Sequence, residues 1–546
     1  MTDRPADMAA ALDAAAGTGG GRITFLLEDG PITLPVARIV EEARRAARVL
    51  AERGVEPGDP VGLLGPNRPD WVRWAFAIWL AGGVLVPMPY PLRVADRSAF
   101  GEQTGALLRA AGCDSCVVAP EAGGVVPEAA AVPWNAPLPS RPVDRGHSPG
   151  AGDLAVIQFT SGSTASPKGA ALTHFAVASA VFGLAEALEL RPGEDRLASW
   201  LPYFHDYGLF SYLLLPVLSG TELLSLPTER FARAPLGWFR MLSEGRATVT
   251  GGPPSAWAVA LRAAERSAGS LDLSPIRMAY MAAETIDPGL VDRFEEAAPG
   301  LRLSARALGT GYGLAEATLT VTRTPPGSGI RIDEVDLAAL ARGRADPAVD
   351  GPAKRVVTCG PPLAYMECRV AGPDGALPDR VVGEVEVRGP SVMSGYVGPD
   401  APDPFRDGWL RTGDLGYLAD GDLYVTGRIK DLIIVLGQNY PPEDIEWAAA
   451  RVPGVRPGRA VAFTRPGTED EIIVVVEPRG DPDPDELAGQ VRAAVTAAVG
   501  LTPREVVVLP RGAVPKTTSG KLQRAAARQA YGRLRGVSAG DPRDGS

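Results

Sequence analysis

The chain predicts an α/β fold divided into more than one domain, on three grounds. Strand-like and helix-like stretches alternate from Ile23 onward, the pattern of sheets covered by helices. At 546 residues the chain is longer than one hydrophobic core organises, so at least two domains are expected. Beyond Lys430 the alternation restarts on a smaller scale, with strands over 432–436, 459–463 and 472–476 and helices over 443–451 and 485–499.

Taken in order, two short strands flank the turn Glu28-Asp29-Gly30, and a helix over 35–53 stops at Gly54. After Pro57-Gly58-Asp59 come a strand over 61–64, a helix from Pro69 and a strand over 84–86. The interval 71–90 imitates a membrane span, but Arg73, Gly82, Gly83, Pro87 and Pro89 break it well short of the ~20 apolar residues a span requires. Residues 124–152, rich in Pro, Gly and Ala with little periodicity, read as a connection between subdomains. The apolar run 154–159 predicts a buried strand, and 173–190 predicts a helix with Thr173 in N-cap position, stopped at Arg191-Pro192-Gly193. Residues 248–257 read as a strand turning into a helix beside a pocket, 335–341 as a short helix, and 538–546 as a disordered tail.

A composition of 45% hydrophobic and 22% charged residues is that of an ordinary globular protein. The net charge of -10 argues against a nucleic-acid or anionic-membrane partner, which needs a basic patch, and suits a cytoplasmic enzyme. The N-terminus has no basic region followed by an apolar core, so no signal peptide is expected. Cys113 and Cys116 form a C-x-x-C, but Cys359 and Cys368 lack the matching close spacing and there are three histidines, so all four thiols are expected to be free and reduced.

Chemistry concentrates in a few stretches. QFTSGSTASPKG at 158–169 packs hydroxyls, glycines and one lysine between a strand and a helix, the order a phosphate cradle needs. Glycine lets backbone N–H groups approach phosphate oxygens, and Lys168 adds a point charge for the outer phosphates. Pro167 before the lysine, and no Ser or Thr after it, set the stretch apart from G-x-x-x-x-G-K-[ST]. WLPYFHDYGL at 200–209 surrounds His205 with aromatic residues, and GYGLAEATL at 311–319 puts Glu316 at an expected helix start, where dipole stabilisation alone could account for a carboxylate. RTGDLG at 411–416, VTGRIKD at 425–431 and PKTTSGKLQR at 515–524 supply Asp414, Arg428, Lys430 and Lys521. Asp414 and Arg428, taken singly, could be surface ion-pair partners.

Together these stretches resemble the adenylate-forming superfamily, which holds acyl-CoA synthetases, peptide-synthetase adenylation domains, luciferases and fatty acyl-AMP ligases, over nearly the whole chain. The resemblance implies the adenylate-forming enzyme fold: a large N-terminal domain of αβ subdomains over 1–428, which binds ATP and the acid, and a smaller mobile α/β domain over 429–546, which carries the catalytic lysine. It implies that Thr160, Ser161, Gly162, Ser163, Thr164 and Lys168 hold phosphates. Ala283 and Glu284 would lie against adenine, although glycine is usual in the family where Ala282 stands. Gly311, Tyr312 and Gly313 would complete the nucleotide site, with Tyr312 stacked near the base. Glu316 would hold Mg²⁺ against the phosphates. Asp414 would accept from both ribose hydroxyls, and Arg428 would reach the ribose or the phosphate. Lys430 falls at the family's hinge, and Lys521 matches a catalytic lysine on a mobile loop. His205 would position the substrate, because the reacting acid is already ionised at pH 7 and needs no base.

Within the superfamily, GYGLAEATL, the run KDLIIVLGQNYP at 430–441 with Asp444 and Glu446, and extra chain over 325–358 favour a fatty acyl-AMP ligase over an acyl-CoA synthetase. The ligases use such a segment to limit domain rotation, and the helix at 335–341 is expected to pack on the N-terminal domain. The implied reaction uses ATP and Mg²⁺ to convert a carboxylic, fatty-type acid to acyl-AMP, then passes the acyl group to the phosphopantetheine of an acyl carrier protein of a polyketide or peptide synthetase. Two alternatives stand beside it: a synthetase forming a free CoA thioester, and a nucleotide-binding regulatory protein that has lost catalysis. Lys521, Glu316 and Asp414 argue against the second.

Overall fold

The structure, a computed structural model, describes residues 7–90, 97–143, 149–160, 168–267, 271–398, 401–435, 438–465, 471–516 and 522–535. Ser161, Gly162, Ser163, Thr164, Lys521 and the tail 538–546 lie outside the described residues.

Two large sheets form the body. The first orders its eight strands Thr322–Arg323, Leu308–Tyr312, Met278–Met281, Val249–Gly252, Arg196–Ser199, Glu222–Ser225, Arg22–Leu27 and Gly30–Pro35. All neighbours are parallel except at the two edges, where Thr322–Arg323 and Gly30–Pro35 turn back on their partners. The second places Gly395–Tyr396, Gly169–Thr173, Leu154–Phe159, Val84–Pro87, Pro60–Leu64, Ser115–Val118 and Ala131–Pro133 side by side. Helices Val36–Glu52 and Pro69–Leu80 pack together against the sheets, and Trp71, Trp74 and Trp79 from the second are almost wholly buried. Their size anchors the layer, and buried indole N–H groups need acceptors: Trp79 donates to the Ala155 carbonyl at 2.8 Å and Trp74 to the Trp134 carbonyl at 2.8 Å.

Two sequence expectations change here. The phosphate-loop stretch does not pass straight into a helix: the chain first returns as the strand Gly169–Thr173, antiparallel to Leu154–Phe159 with Phe159 opposite Gly169, and only then forms helix His174–Ala187. Gly-Ala-Ala-Leu has almost no strand propensity, and the pairing rests on tertiary fit: a Cβ at Gly169 would lie 2.7 Å from Val397 and 2.8 Å from Ile157. The stretch read as a connection over 124–152 likewise contains the edge strand Ala131–Pro133. Thr173 caps the following helix as expected, accepting from the Ala176 N–H.

A third, antiparallel sheet carries the hairpin of Trp409–Ala419 with Asp422–Arg428. Its neighbour Gly383–Arg388 contains Glu386, fully buried between Arg369 (2.7 Å) and Arg406 (2.6 Å). Past Lys430, strands Val455–Thr464, Ile472–Pro478 and Glu505–Val508 form a small sheet whose alternating residues serve two cores. Ala462, Val474 and Val476 face helices Pro442–Ala450 and Pro484–Val499, whereas Val461, Ile473 and Val475 face helix Arg524–Arg535 through Ala527 and Tyr531.

The segment 325–358 folds as the hairpin Ile332–Asp336 with Ala353–Val357, and Asp336 caps the short helix Leu337–Ala341. Val335, Ala345 and Val356 share a small core with Tyr417, Ala419 and Tyr424. The helix packs on its own hairpin and, as expected, on the N-terminal body, where Leu340 lies against the cluster of Tyr417, Ala419 and Tyr424; it also meets strand Gln438–Tyr440, beyond Lys430. The four cysteines are free, and burial pushes the Cys113, Cys359 and Cys368 thiols up to about 12, so none is a reactive thiolate. Among the described residues, no helix is long and apolar enough to cross a membrane.

Glu386→Ala leaves two half-buried guanidinium groups without their shared counter-ion. We expect a loss of about 3 kcal/mol or more, read as a lower urea midpoint, and an unchanged midpoint would contradict this account of the buried charge.

Candidate active site

In open parallel sheets, ligands bind beyond the carboxyl ends of the strands. Here the ends of Leu154–Phe159, Met278–Met281 and Leu308–Tyr312, and Pro254 and Ser255 just after Val249–Gly252, line one cleft of about 1500 Å³, which Lys430, Lys516 and Arg524 also line.

Strand Leu308–Tyr312 delivers Tyr312 to the cleft, and the chain then doubles back so sharply that a Cβ on Gly313 would lie 1.5 Å from the Leu319 carbonyl oxygen. Gly313 is therefore required by the backbone itself. The expected helix at Glu316 is a three-residue 3₁₀ turn, Ala315–Ala317, too short for a helix dipole to explain the carboxylate. Glu316 instead accepts at Oε1 from the Tyr396 hydroxyl at 2.7 Å, and the Lys168 ammonium lies 5.3 Å from the centre of the Tyr396 ring. Burial and then Glu316 push the Tyr396 phenol far above its ordinary range, so it stays a donor. Tyr396 escaped the sequence reading because Gly-Tyr in a loop-like stretch has no chemical signature. Only its pairing opposite Ala170 on the second sheet brings it into the site.

Asp414 and Arg428 stand directly opposite each other on the hairpin. Arg428 Nε donates to Asp414 Oδ1 at 2.6 Å, and the Tyr312 hydroxyl donates to Oδ2 at 2.7 Å. Each carboxylate oxygen keeps a second lone pair for a ligand hydroxyl. Burial, then Asp414, raises the Tyr312 phenol well above its ordinary range. Thus Tyr312 does more than offer a ring for stacking: it orients the carboxylate.

The Thr160 N–H donates to the Lys168 carbonyl at 3.0 Å. Thr160, Lys168, Gly311 and Gly313 all line the cleft. His205 also lines it, with Nδ1 2.5 Å from Asp206 Oδ1, so Nε2 is the nitrogen available to a ligand. Gln158 Nε2 donates to the Phe204 carbonyl at 3.1 Å and fixes that turn to the second sheet. Ala283 adopts φ 73°, a left-handed conformation uncommon outside glycine and concentrated at functional sites. Glu284 lines the cleft, but both its oxygens are engaged by Ser255, one by the N–H and one by the hydroxyl, each at 3.1 Å. It thereby caps helix Pro254–Glu265, a structural task the motif did not disclose.

Lys430 sits in the 3₁₀ turn Ile429–Asp431 at the cleft. Arg524 joins Asp431 (3.1 Å), Glu443 (2.8 Å) and both oxygens of Glu446 (2.8 Å each), binding that turn to the start of the last helix. On either side of the residues that include Lys521, Lys516 and Leu522 pair as an antiparallel bridge and line the cleft. Burial, then Arg459, holds the Lys516 ammonium below its ordinary range. Lys516 is a cleft lysine that the sequence reading passed over in favour of Lys521.

A family model for AMP-binding enzymes matches residues 13–397. The long-chain-fatty-acid–AMP ligase FadD32 of Mycolicibacterium smegmatis is 31% identical over 562 residues, covering 89% of this chain and 87% of the relative. The medium-chain-fatty-acid–[acyl-carrier-protein] ligase JamA of Moorena producens is 36% identical over 407 residues, covering 69% and 67%. A solved structure from a study of fatty acyl-adenylate ligases of E. coli and L. pneumophila superposes with a TM-score of 0.89 at 32% identity, covering 98% of this chain and 99% of the other.

Because the atom nearest a Gly313 Cβ is a backbone oxygen, Gly313→Ala forces the turn itself to move. The expected cost is about 1–3 kcal/mol, the range for overpacking, together with loss of nucleotide binding. Unaltered thermal unfolding and nucleotide titration would show that the turn can relax.

Proposed function

The chain belongs to the AMP-binding enzyme family and is an adenylate-forming ligase, and from that premise we propose the roles of its residues and the fate of its product. A carboxylate oxygen of the acid attacks the α-phosphorus of ATP, the bond from that phosphorus to the bridging oxygen breaks, and pyrophosphate leaves. The thiol of a carrier protein's phosphopantetheine then attacks the acyl carbon, the acyl–phosphate bond breaks, and AMP leaves. The observation that carries this assignment is the pair of clusters on one cleft wall: Asp414 held by Tyr312 and Arg428, and Glu316 held by Tyr396 beside Lys168.

The first cluster suits a ribose with two vicinal hydroxyls; the second suits phosphates. Thr160, Lys168 and the neighbouring Ser161, Gly162, Ser163 and Thr164 supply donors and charge to the phosphates, and His205 orients the acid. Attack of one anion on another is opposed electrostatically, so cations positioned before the reaction lower the barrier. Magnesium fits this donor set: Glu316 Oε1 is taken by Tyr396, which leaves Oε2, a hard oxygen donor, as the atom that would hold it. Bound there, magnesium would supply neutralisation of phosphate charge. Lys521 adds its charge at the reacting phosphate when the part of the chain beyond Lys430 closes.

In this reading 1–428 and 429–546 are domains that turn about Lys430, and the hairpin of 325–358 restrains them. Neighbouring residues on strand Ala353–Val357 hold opposite sides: Arg355 makes a bidentate pair with Asp292 of helix Pro288–Ala297 (2.7 and 2.8 Å), and Lys354 pairs with Asp444 of helix Pro442–Ala450 at 2.6 Å. Releasing a CoA thioester requires the smaller part to rotate, which would break the second pair. A bias of a few kcal/mol keeps such a state below about one per cent.

Lys521→Ala is expected to lower ATP–pyrophosphate exchange by ~10² to 10³, the scale of one lost oxyanion donor, with ATP binding largely kept. Exchange at the wild-type rate would remove Lys521 from the mechanism.

Supplied with acid and ATP, the intact enzyme should load a phosphopantetheinylated carrier protein and form little acyl-CoA. Lys354→Ala should raise acyl-CoA formation about fivefold, the equivalent of ~1 kcal/mol for one ion pair. Efficient acyl-CoA synthesis by the intact enzyme would favour a CoA synthetase instead.

A further inference from the structure

One side of the cleft is unusual for a site that takes an acyl chain. Arg323 lines it while only 8% exposed, and its Nε has no hydrogen-bond partner. The guanidinium lies over the Tyr280 ring, 3.2 Å from its centre, and among the described residues it makes no ion pair with a carboxylate. Arginine is rarely buried this deeply without a counter-ion. The cation–π contact stabilises the charge through the face of the guanidinium but leaves its in-plane N–H donors, the ones that form forked contacts with carboxylates, unused.

The surroundings are built to hold that side chain. Arg323 stands opposite Gly311 across the antiparallel edge of the first sheet, next to the residue that delivers Tyr312. Tyr280 is given room by Gly309, where a Cβ would come within 2.6 Å of the ring, and its hydroxyl is tied to the Thr324 carbonyl at 3.0 Å. The segment Tyr207–Leu214, which begins two residues after His205, is wound as a π-helix, which brings positions five apart onto one face. Tyr207 and Tyr212 therefore lie with ring centres 5.6 Å apart, and a Cβ on Gly251 would be 2.5 Å from each hydroxyl. Both phenols thus press on the carboxyl end of Val249–Gly252 and fill the space there. Burial pushes the Tyr207 phenol up to about 12 against the pull of the Arg323 charge, so it remains a neutral donor. Ser211 of the same turn is 3% exposed and its hydroxyl is also unpartnered. Beyond Leu319 and Thr320, the gap lined by Leu184, Phe210 and Tyr365 has no room for a water molecule.

We propose that Arg323 is a specificity-determining residue and that the acid activated here has a compact chain ending in a second carboxylate, which pairs with the Arg323 guanidinium. The inference rests on the acid-activating reading above and names its substrate class. A plain alkyl chain would leave the guanidinium desolvated and without a counter-ion, and Tyr207 and Tyr212 occupy volume that an extended chain would use. A terminal carboxylate accepts from the fork on two oxygens and converts the isolated charge into a bidentate pair.

The test compares acids of matched length: butanedioate and hexanedioate against butanoate and hexanoate, with dodecanoate as the long unbranched chain. ATP–pyrophosphate exchange reads the reaction, and calorimetric titration of the same acids reads the pocket separately. For the better diacid, kcat/KM should exceed that of its matched monoacid by about 10²-fold or more, because a site built around a polar partner rejects the analogue lacking it. Arg323→Leu should abolish that ratio through KM, leave ATP binding unchanged and keep the thermal midpoint close to wild type. Arg323→Lys, which keeps charge without the fork, should recover part of the ratio, and Tyr212→Ala should improve dodecanoate. Wild-type preference for hexanoate or dodecanoate, or a ratio indifferent to Arg323→Leu, would overturn the proposal. Exchange with none of the acids would count against the ligase reading itself, while calorimetry would still decide whether Arg323 selects a diacid.

Discussion

The site depends on one buried carboxylate. Asp414 receives Tyr312 from the edge of the parallel sheet and Arg428 from the strand that leads into the turn at Lys430. Removing either donor would leave a carboxylate 4% exposed with half its contacts. The same interaction therefore joins two sheets, orients two oxygens toward the cleft and sets where the chain departs for its last hundred residues. If Asp414 holds the ribose as proposed, a structural bond and a ligand contact share one carboxylate, which limits what can stand at Tyr312, Asp414 or Arg428.

Around that point the fold repeatedly uses close backbone approach to place charge. Gly313 lets the chain turn under Leu319 so that Glu316 reaches Tyr396 on the other large sheet. Gly169 lets the strand after the phosphate stretch fit against Val397, which brings Gly395–Tyr396 alongside. Glu316 and its partner Tyr396 are thus drawn from both sheets, and their spacing is set by sheet packing. Beside Arg323, Gly251 and Gly309 admit Tyr207, Tyr212 and Tyr280, and aromatic volume fills the space.

Two charged assemblies govern how the last part of the chain meets the body. Arg524 binds the turn beside Lys430 to helix Pro442–Ala450 and to the helix that follows Lys521. Lys354 and Arg355, on one strand of the 325–358 hairpin, hold helices from either side of Lys430. The first assembly lies wholly beyond Lys430; the second ties that part to the body and would resist the rotation proposed above. A half-buried ion pair is a modest restraint, but one placed across a rotation axis acts on the population of the rotated state directly.

The α/β class, the two large sheets' helices and the alternating strands past Lys430 were legible in the sequence, because amphipathic periodicity and Gly-Pro punctuation are local properties. The residues proposed for the nucleotide, Lys168, Tyr312, Glu316, Asp414 and Arg428, stand in short runs whose chemistry depends on spacing of a few residues, and the structure brings them to one cleft. What the sequence could not disclose depends on residues far apart in the chain. Strand Gly169–Thr173 has too little propensity to announce itself and exists because Ile157 and Val397 close around it. Tyr396 acquires a role only through sheet pairing, and Glu284 loses part of its expected freedom to Ser255, twenty-nine positions away. Arg323 looks like any polar residue after a strand until Tyr280, Tyr207 and Tyr212 surround it. Local chemistry determined which reaction the chain is equipped for, and burial, which only tertiary packing decides, selected which charges are left for a substrate to meet.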